Sequence, residues 1–433
     1  MESTKKFPEN LLESLTVKMI ILGFLGLLLL IPLELVREII KERAKYADEA
    51  RTEISKSWAS PQNITGPVLN VPGKKILENG LNVLTTTLHI LPENLNVKAS
   101  ISPEIRYRGI YETVIYRSSI DISGNFNLSG TDGFEGYSYD WSQVYLTLGV
   151  TDNKGLSGDI ILQYGARDLP AEPGTVQKDI FSSGITFRAE VPGANPESME
   201  ESFSMKFDLN GSKALFFSPA GKTTRVTISS PWDAPSFSGN FLPLERNVSK
   251  DGFKARWEVT HLNRNFPQVW TGAGFSPEND SFGVNLMLEV DHYRKAERSV
   301  KYGLLFILLT FFVLILIEVR SSERIHIFYY LLVAGALILF FSLLSALSEH
   351  IGFNPAYLTA STVTIALLSY FFNSLTGRRW VVLLVAGLLA TLYLFVFILL
   401  ALKDYAYLAG NIGLFVLLAV LMIVSARYRI FRT

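Results

Sequence analysis

Glu349-His350 places a carboxylate beside an imidazole, the side chain whose ordinary titration falls nearest neutral pH. Such a pair can sense pH or polarise a substrate. Neighbours at a helix end face apart, however, so an interfacial helix cap is the simpler reading. A second unusual run is Ser230-Pro-Trp-Asp-Ala-Pro-Ser-Phe-Ser-Gly-Asn-Phe-Leu-Pro243. Its prolines exclude a central strand, and its aromatic side chains carry large apolar areas. It is either a rigid crossing between two sheets, the simpler reading, or a loop that presents Trp232, Pro235, Ser236 and Phe237 to a partner.

Other fragments carry less. Ala220-Gly221-Lys222-Thr223 ends like a phosphate loop, but Phe216 stands where that loop needs its first glycine. A hairpin turn is expected there. Gly272-Ala-Gly274 lacks a third glycine. The histidines, His89, His261, His292, His326 and His350, show no metal-ligand spacing. No Gly-x-Ser-x-Gly elbow is present. The absence of cysteine excludes disulfides, thiolate metal sites and cysteine nucleophiles. No catalytic residue, cofactor or metal is assigned. Asn-x-Ser/Thr sequons at Asn63, Asn127, Asn210, Asn247 and Asn279 have no predictive weight without knowledge of the host.

The elements around these residues follow from composition. Of 433 residues 48% are apolar and only 18% charged, with 40 Lys+Arg against 40 Asp+Glu. A soluble domain carries ~25% charge, so some segments must be nearly charge-free. Zero net charge argues against a nucleic-acid partner. Charge-free runs lie between Lys301 and Glu318, Arg324 and Glu349, Glu349 and Arg378, Arg379 and Lys403, and Asp404 and Arg427. Another apolar run, Met19 to Leu33, lies near the start. A spanning helix needs ~20 apolar residues. Six are predicted, near 15–36, 301–319, 326–347, 355–373, 379–402 and 405–425, with Lys18, Glu34, Lys301 and Glu318 snorkelling from their ends. The first is an uncleaved signal anchor, because Ile31-Pro-Leu-Glu-Leu-Val-Arg37 lacks a small-residue cleavage site.

Arg320 with Arg324, Arg378 with Arg379, and Arg427 with Arg429 and Arg432 fall on one side, as do Lys5, Lys6 and Lys18. By the positive-inside rule both termini are cytoplasmic, and the bilayer is the first partner. The helix centres hold no ionisable group, which disfavours an ion path. The helix near 355–373 is polar through Thr359, Ser361, Thr362, Thr364 and Ser369, with a small-residue face at Ala356, Ala360 and Thr364 suited to close packing and interhelical hydrogen bonds.

The division is therefore 1–36, tail and anchor; 37–58, a helical stalk; 59–300, a β-rich domain; 301–425, five membrane helices; and 426–433, a basic tail. Strands are expected at 82–91, 106–120, 144–150, 160–164, 203–209, 223–229 and 253–260. Asn79-Gly80, Pro192-Gly193, Asn210-Gly211 and Asp251-Gly252 mark turns. Many short strands suggest a sandwich. The fold class is a multi-pass α-helical membrane protein, six helices with both termini inside, bearing a large sandwich-like extracytoplasmic domain.

In order and spacing the chain resembles the CreD family of bacterial inner-membrane proteins almost end to end. The resemblance runs through Ile40–Ala50, Thr65-Gly-Pro67, Leu209-Asn-Gly-Ser212, Phe217-Ser-Pro-Ala-Gly221, Trp232-Asp-Ala-Pro-Ser-Phe237 and Leu242-Pro243. It continues through Gly252-Phe-Lys-Ala-Arg-Trp257, Asn263-Arg-Asn265, Lys301-Tyr302, Leu309-Thr-Phe311, Ser348-Glu-His-Ile-Gly-Phe353 and Ala356-Tyr357. It implies an inner-membrane location with the β domain in the periplasm, and a role in envelope integrity and envelope stress. It carries over no catalytic residue.

Three readings follow. The first is a non-enzymatic envelope protein whose β domain binds or braces an envelope protein or lipid, through residues such as Trp232 and Phe237. The second is a transporter or export accessory with a polar cavity near Thr362 and Ser369. The third is an outer-surface enzyme using Glu349, His350, and Asp291 or His292. The oligomeric state stays open.

Overall fold

The computed structural model describes residues 15–76, 83–129, 131, 134–178, 180–189, 200–286, 292–321, 325–402 and 405–428. The turn signals at Asn79-Gly80 and Pro192-Gly193, together with Asp291, Lys5, Lys6, Arg324, Lys403, Arg429 and Arg432, lie outside them. The chain divides into two compact units, Met1–Asp48 with Val290–Thr433, and Glu49–Glu289.

The first unit is helical. Its elements are α1 (Leu15–Leu28), α2 (Leu30–Trp58, which also enters the second unit), α3 (His292–Val300), α4 (Gly303–Ser321), α5 (Ile327–Ile351), α6 (Phe353–Thr376), α7 (Arg379–Ala401) and α8 (Ala406–Tyr428). Leu29 N–H donates to Leu25 O at 2.9 Å and Leu33 N–H to Leu29 O at 3.3 Å, so helical bonding continues from α1 into α2. Among the described residues five helices are long and apolar enough to span a membrane: the one made by α1 and α2, then α4, α5, α6 and α7. The sixth expected span coincides with α8, whose described apolar stretch is the shorter Leu408–Val420. Helices of this kind bury their backbone polar groups internally and present apolar side chains to lipid.

Polar contacts within this unit gather at the helix ends. At one end Lys18 pairs with Glu318 and donates to Ile325 O at 2.6 Å, while the Tyr330 hydroxyl reaches Glu318 at 3.3 Å. At the other, Arg37 binds Glu297 at 3.1 Å and the Tyr293 hydroxyl donates to Glu349 at 2.9 Å. Lys18 and Glu318 thus pair with each other instead of snorkelling apart, because an ion pair relieves both charges where lipid cannot solvate them. Between the ends, rings from α4, α5 and α7 pack together: Phe340 lies 4.4 Å and Phe306 4.8 Å from Tyr393. Ala356, Ala360 and Thr364 are buried, as a packing face requires. The α6 hydroxyls bond back to their own helix, Thr362 to Leu358 O at 2.7 Å and Thr364 to Ala360 O at 2.8 Å. An interhelical bond comes from Tyr357, whose hydroxyl donates to Tyr393 O at 2.8 Å.

The second unit is built on strands: β1 (Gln62–Ile76), β2 (Val83–Ile90), β3 (Asn94–Arg108), β4 (Tyr111–Asn127), β5 (Ser138–Tyr139), β6 (Val144–Val150), β7 (Leu156–Ser157), β8 (Ile161–Tyr164) and β9 (Arg167–Pro173). They continue with β10 (Gly184–Ala189), β11 (Glu200–Ser212), β12 (Ala214–Ser218), β13 (Thr223–Ser230), β14 (Pro235–Gly239), β15 (Glu245–Ser249), β16 (Gly252–Thr260), β17 (Val269–Thr271) and β18 (Phe282–Leu286). Their ladders form two sets. In one, β1 is flanked by β2 (then β17) and β12 (then β18 and β14) on one side, and by β5 and β6 (then β10 and β9) on the other. The other runs β15-β16-β13-β3-β4-β11, with β7 and β8 on β11 and β9 on β8. One apolar cluster is shared by both. Phe237 from β14 meets Phe253 at 5.6 Å and Trp257 at 5.8 Å, both on β16, and Trp257 meets Phe282 from β18 at 5.8 Å.

Three expectations change. Asn210-Gly211 is no turn; it lies inside β11, paired with Arg117 and Tyr116 of β4, and its glycine marks a close approach, because the Tyr116 ring occupies the space a Cβ would need. Ala220–Thr223 turns the chain but makes no hairpin, since β12 and β13 belong to different ladder sets. The single strand expected at 106–120 is two, β3 and β4, turning at Gly109 with φ 62°.

Candidate functional site

The Ser230–Pro243 run passes from β13 in one ladder set to β14 in the other, and Asn240–Leu244 returns the chain to β15. Pro235 opens β14, which among the described residues pairs with β18 alone; the first residue of an edge strand is a position where a missing N–H does little harm. Trp232 is half-buried, and its indole N–H donates to Ala234 O at 3.2 Å. Phe237 turns inward onto the aromatic cluster. These rings clasp the core, while the neighbouring strand supplies the accessible surface.

That strand is β15. Among the described residues it pairs only with β16, and all five of its residues are exposed. Its pleat sends alternate side chains to opposite faces. Arg246 and Val248 line a groove of about 520 Å³ together with Pro235, Ser236 and Phe237. Asn247 and Ser249 line another of about 410 Å³ with Ser229, Ser230, Asp251 and Lys254. Three residues singled out in the sequence thus line one groove, and Arg246 and Val248 join them only through the fold. Arg246 and Lys254 have no carboxylate partner among the described residues. Hydroxyls, amides and these two cations beside a strand edge unpaired among the described residues can hydrogen-bond an extended or oxygen-rich ligand. They hold no nucleophile–base pair.

Glu349 and His350 are not brought together. Glu349 turns to Tyr293 on α3, whereas His350 is exposed on the last turn of α5. Thr362 lines a mostly apolar groove between α6 and α7, and Ser369 is not part of its lining. Among the described residues no three His, Asp or Glu side chains are placed to hold a metal.

Two polar side chains that the sequence offered no reason to single out, His89 and Arg264, are buried. His89 on β2 donates its Nδ1–H to Asn70 Oδ1 at 2.7 Å, and Asn70 Nδ2 donates to Thr147 Oγ1 at 3.1 Å. Burial lowers the His89 pKa to about 4, so the ring is neutral. Arg264 donates to Phe266 O at 2.6 Å, Pro267 O at 3.0 Å and Gln268 Oε1 at 2.5 Å. Burial brings its pKa down to about 10. Neither has a spacing signal in the sequence.

The sequence matches the family model "Inner membrane protein CreD" over residues 14–430. The chain belongs to the CreD family. Inner membrane protein CreD of Escherichia coli strain K12 is 29% identical over 367 residues, covering 82% of this chain and 80% of that one. Membership establishes an inner-membrane protein, in agreement with the resemblance in the sequence and with the apolar helices, which lie in contact with lipid. Among solved structures, an M1 zinc metallopeptidase from Deinococcus radiodurans aligns with a TM-score of 0.18 and 8% identity over 40% of this chain and 39% of its own. A likeness that weak supports no inference about fold, zinc or peptide hydrolysis.

Proposed function

We propose that this CreD-family protein is a non-enzymatic component of the cell envelope. Its β unit lies in the periplasm and binds or braces an envelope macromolecule, so sustaining envelope integrity under stress. The reading takes six membrane helices with both termini inside, α8 being the sixth. Arg320, Arg378, Arg379 and Arg427 then flank the cytoplasmic helix ends. It takes the two ladder sets as a sandwich, in which repeated crossings of the chain between sets enclose one core.

The observation that carries it is β15, an edge strand exposed along its length with a polar groove on each face. Pro235, Ser236 and Phe237 frame this ledge, with Trp232 in the run that leads to them. Solvent-exposed strand edges are a hazard unless blunted or used, and an added strand is what such edges recognise. In intact cells, a photocrosslinker at Val248 is expected to capture one recurring envelope macromolecule, identified by mass spectrometry. A control crosslinker at Glu172 on β9 should not. Identical captures at both positions, or none at Val248, refute the ledge.

A further inference from the structure

The groove between α6 and α7 has a volume of about 590 Å³ and is walled by Asn354, Tyr357, Thr362, Ala390, Leu394 and Phe397. From Asn354 to Ile365, both in its lining, α6 rises about 16 Å. That is the depth of one leaflet, half of a hydrocarbon core ~30 Å thick. The lining is apolar along most of this length. The hydroxyl of Thr362 is spent on Leu358 O, so the walls offer little to a polar solute.

The mouth is different. Lys295 and Arg298 stand three apart on α3, hence on one face of that helix. Lys295 Nζ lies 5.6 Å from the ring centroid of Phe353, the residue before Asn354, and Phe353 packs 5.8 Å from Tyr357. Arg298 donates to Leu399 O at 3.4 Å in the last turn of α7, two residues beyond Phe397. Both side chains are half-buried, and neither has a carboxylate partner among the described residues. Two cations without a carboxylate partner among the described residues therefore sit over one end of a leaflet-deep apolar slot.

From this arrangement we infer that the α6–α7 groove is a binding site for an anionic phospholipid of the bilayer. An acyl chain fills the slot, and the phosphate is held by Lys295 and Arg298. The shape selects a chain, and the charge selects the headgroup. The inference needs only the membrane helices and is independent of what the β unit binds.

The test uses the full chain in nanodiscs of equal phosphatidylglycerol and phosphatidylethanolamine, with retained lipid counted by native mass spectrometry. The protein should keep one phosphatidylglycerol in preference to phosphatidylethanolamine. Lys295→Gln and Arg298→Gln should each lower that preference by about fivefold while still retaining lipid. Thr362→Trp, at an exposed position that fills the slot, should abolish retention of both, and Ala390→Trp should do the same; circular dichroism and elution volume check that each variant is folded. Equal retention of the two headgroups by the unaltered chain overturns the inference. So does undiminished retention in folded Thr362→Trp, or recovery of an isoprenyl phosphate in place of the diacyl lipid.

Discussion

Lys18 in the helical unit and Arg264 in the β unit are both largely removed from solvent, and they are answered in opposite ways. Lys18 meets the carboxylate of Glu318 with the Tyr330 hydroxyl beside it. Arg264 meets carbonyl oxygens and an amide, and stacks 4.4 Å from the Phe266 ring. The difference lies in the surroundings. Beside lipid a lone charge has no solvent to fall back on, so a full counter-charge is required. In a water-facing domain the diffuse, weakly hydrated guanidinium can instead staple a loop by its planar donors.

The contrast can be broken most sharply at Glu318. Glu318→Ala strands the Lys18 charge and should cost about 3–5 kcal/mol, read as thermal or denaturant unfolding of the detergent-solubilised chain. The double variant Lys18→Met/Glu318→Leu should be less damaged than the single one. If the double variant is worse, the pair is not what holds that end.

The next effect is pH dependence in the β unit. His89 binds a proton more weakly folded, with a pKa of about 4, than unfolded, near its ordinary 6.5. Its contribution is complete above pH ~6.5 and is lost as the pH falls towards 4, because the unfolded chain takes up the proton first. Acidification from pH 7 to pH 4.5 should therefore remove about 2–3 kcal/mol. His89→Gln should flatten that part of the stability profile; an unchanged profile would show that the imidazole is already solvated.

Arg264→Met keeps the apolar stem and deletes the donors. It should destabilise the β unit by about 1–3 kcal/mol, detectable as faster amide exchange at residues 264–268. A carboxylate-paired arginine would do more damage on removal, so a loss as large as that of Glu318→Ala would erase the contrast between the units. The smallest effect is expected at the exposed ledge. Arg246→Ser should change stability by no more than ~0.5 kcal/mol while reducing crosslinking from Val248; a large stability loss would make Arg246 structural.

Much of the architecture could be read before any contact was known. The strand expected at 144–150 is β6 to the residue, and 223–229 and 253–260 fall within a residue of β13 and β16. The helix after Val36 is there as expected, in α2. What escaped has identifiable physical reasons. β1 contains Gly66, Pro67, Pro72 and Gly73, residues that signal a break; the ladder to β6 shifts register between Thr65 and Val68 and so absorbs the first proline. At Gly211 the decisive neighbour is Tyr116, nearly a hundred positions away, which no window of sequence can display.

The candidate site was legible in part. Prolines and aromatic rings marked Trp232–Phe237 as unusual, but nothing in that run announced β15 as its accessible neighbour, nor that Glu349 would turn to Tyr293 and away from His350.

The spacing of charges along the chain was enough to mark five of the six expected membrane helices, since lipid excludes ionisable groups at their centres and the exclusion is written residue by residue. Which charges meet was decided only by the packed structure. Lys18 and Glu318 are 300 positions apart, and Lys295 and Arg298 gain their meaning from the ends of α6 and α7. Pairing depends on distance in space, and a linear pattern carries no information about that until the chain has closed on itself.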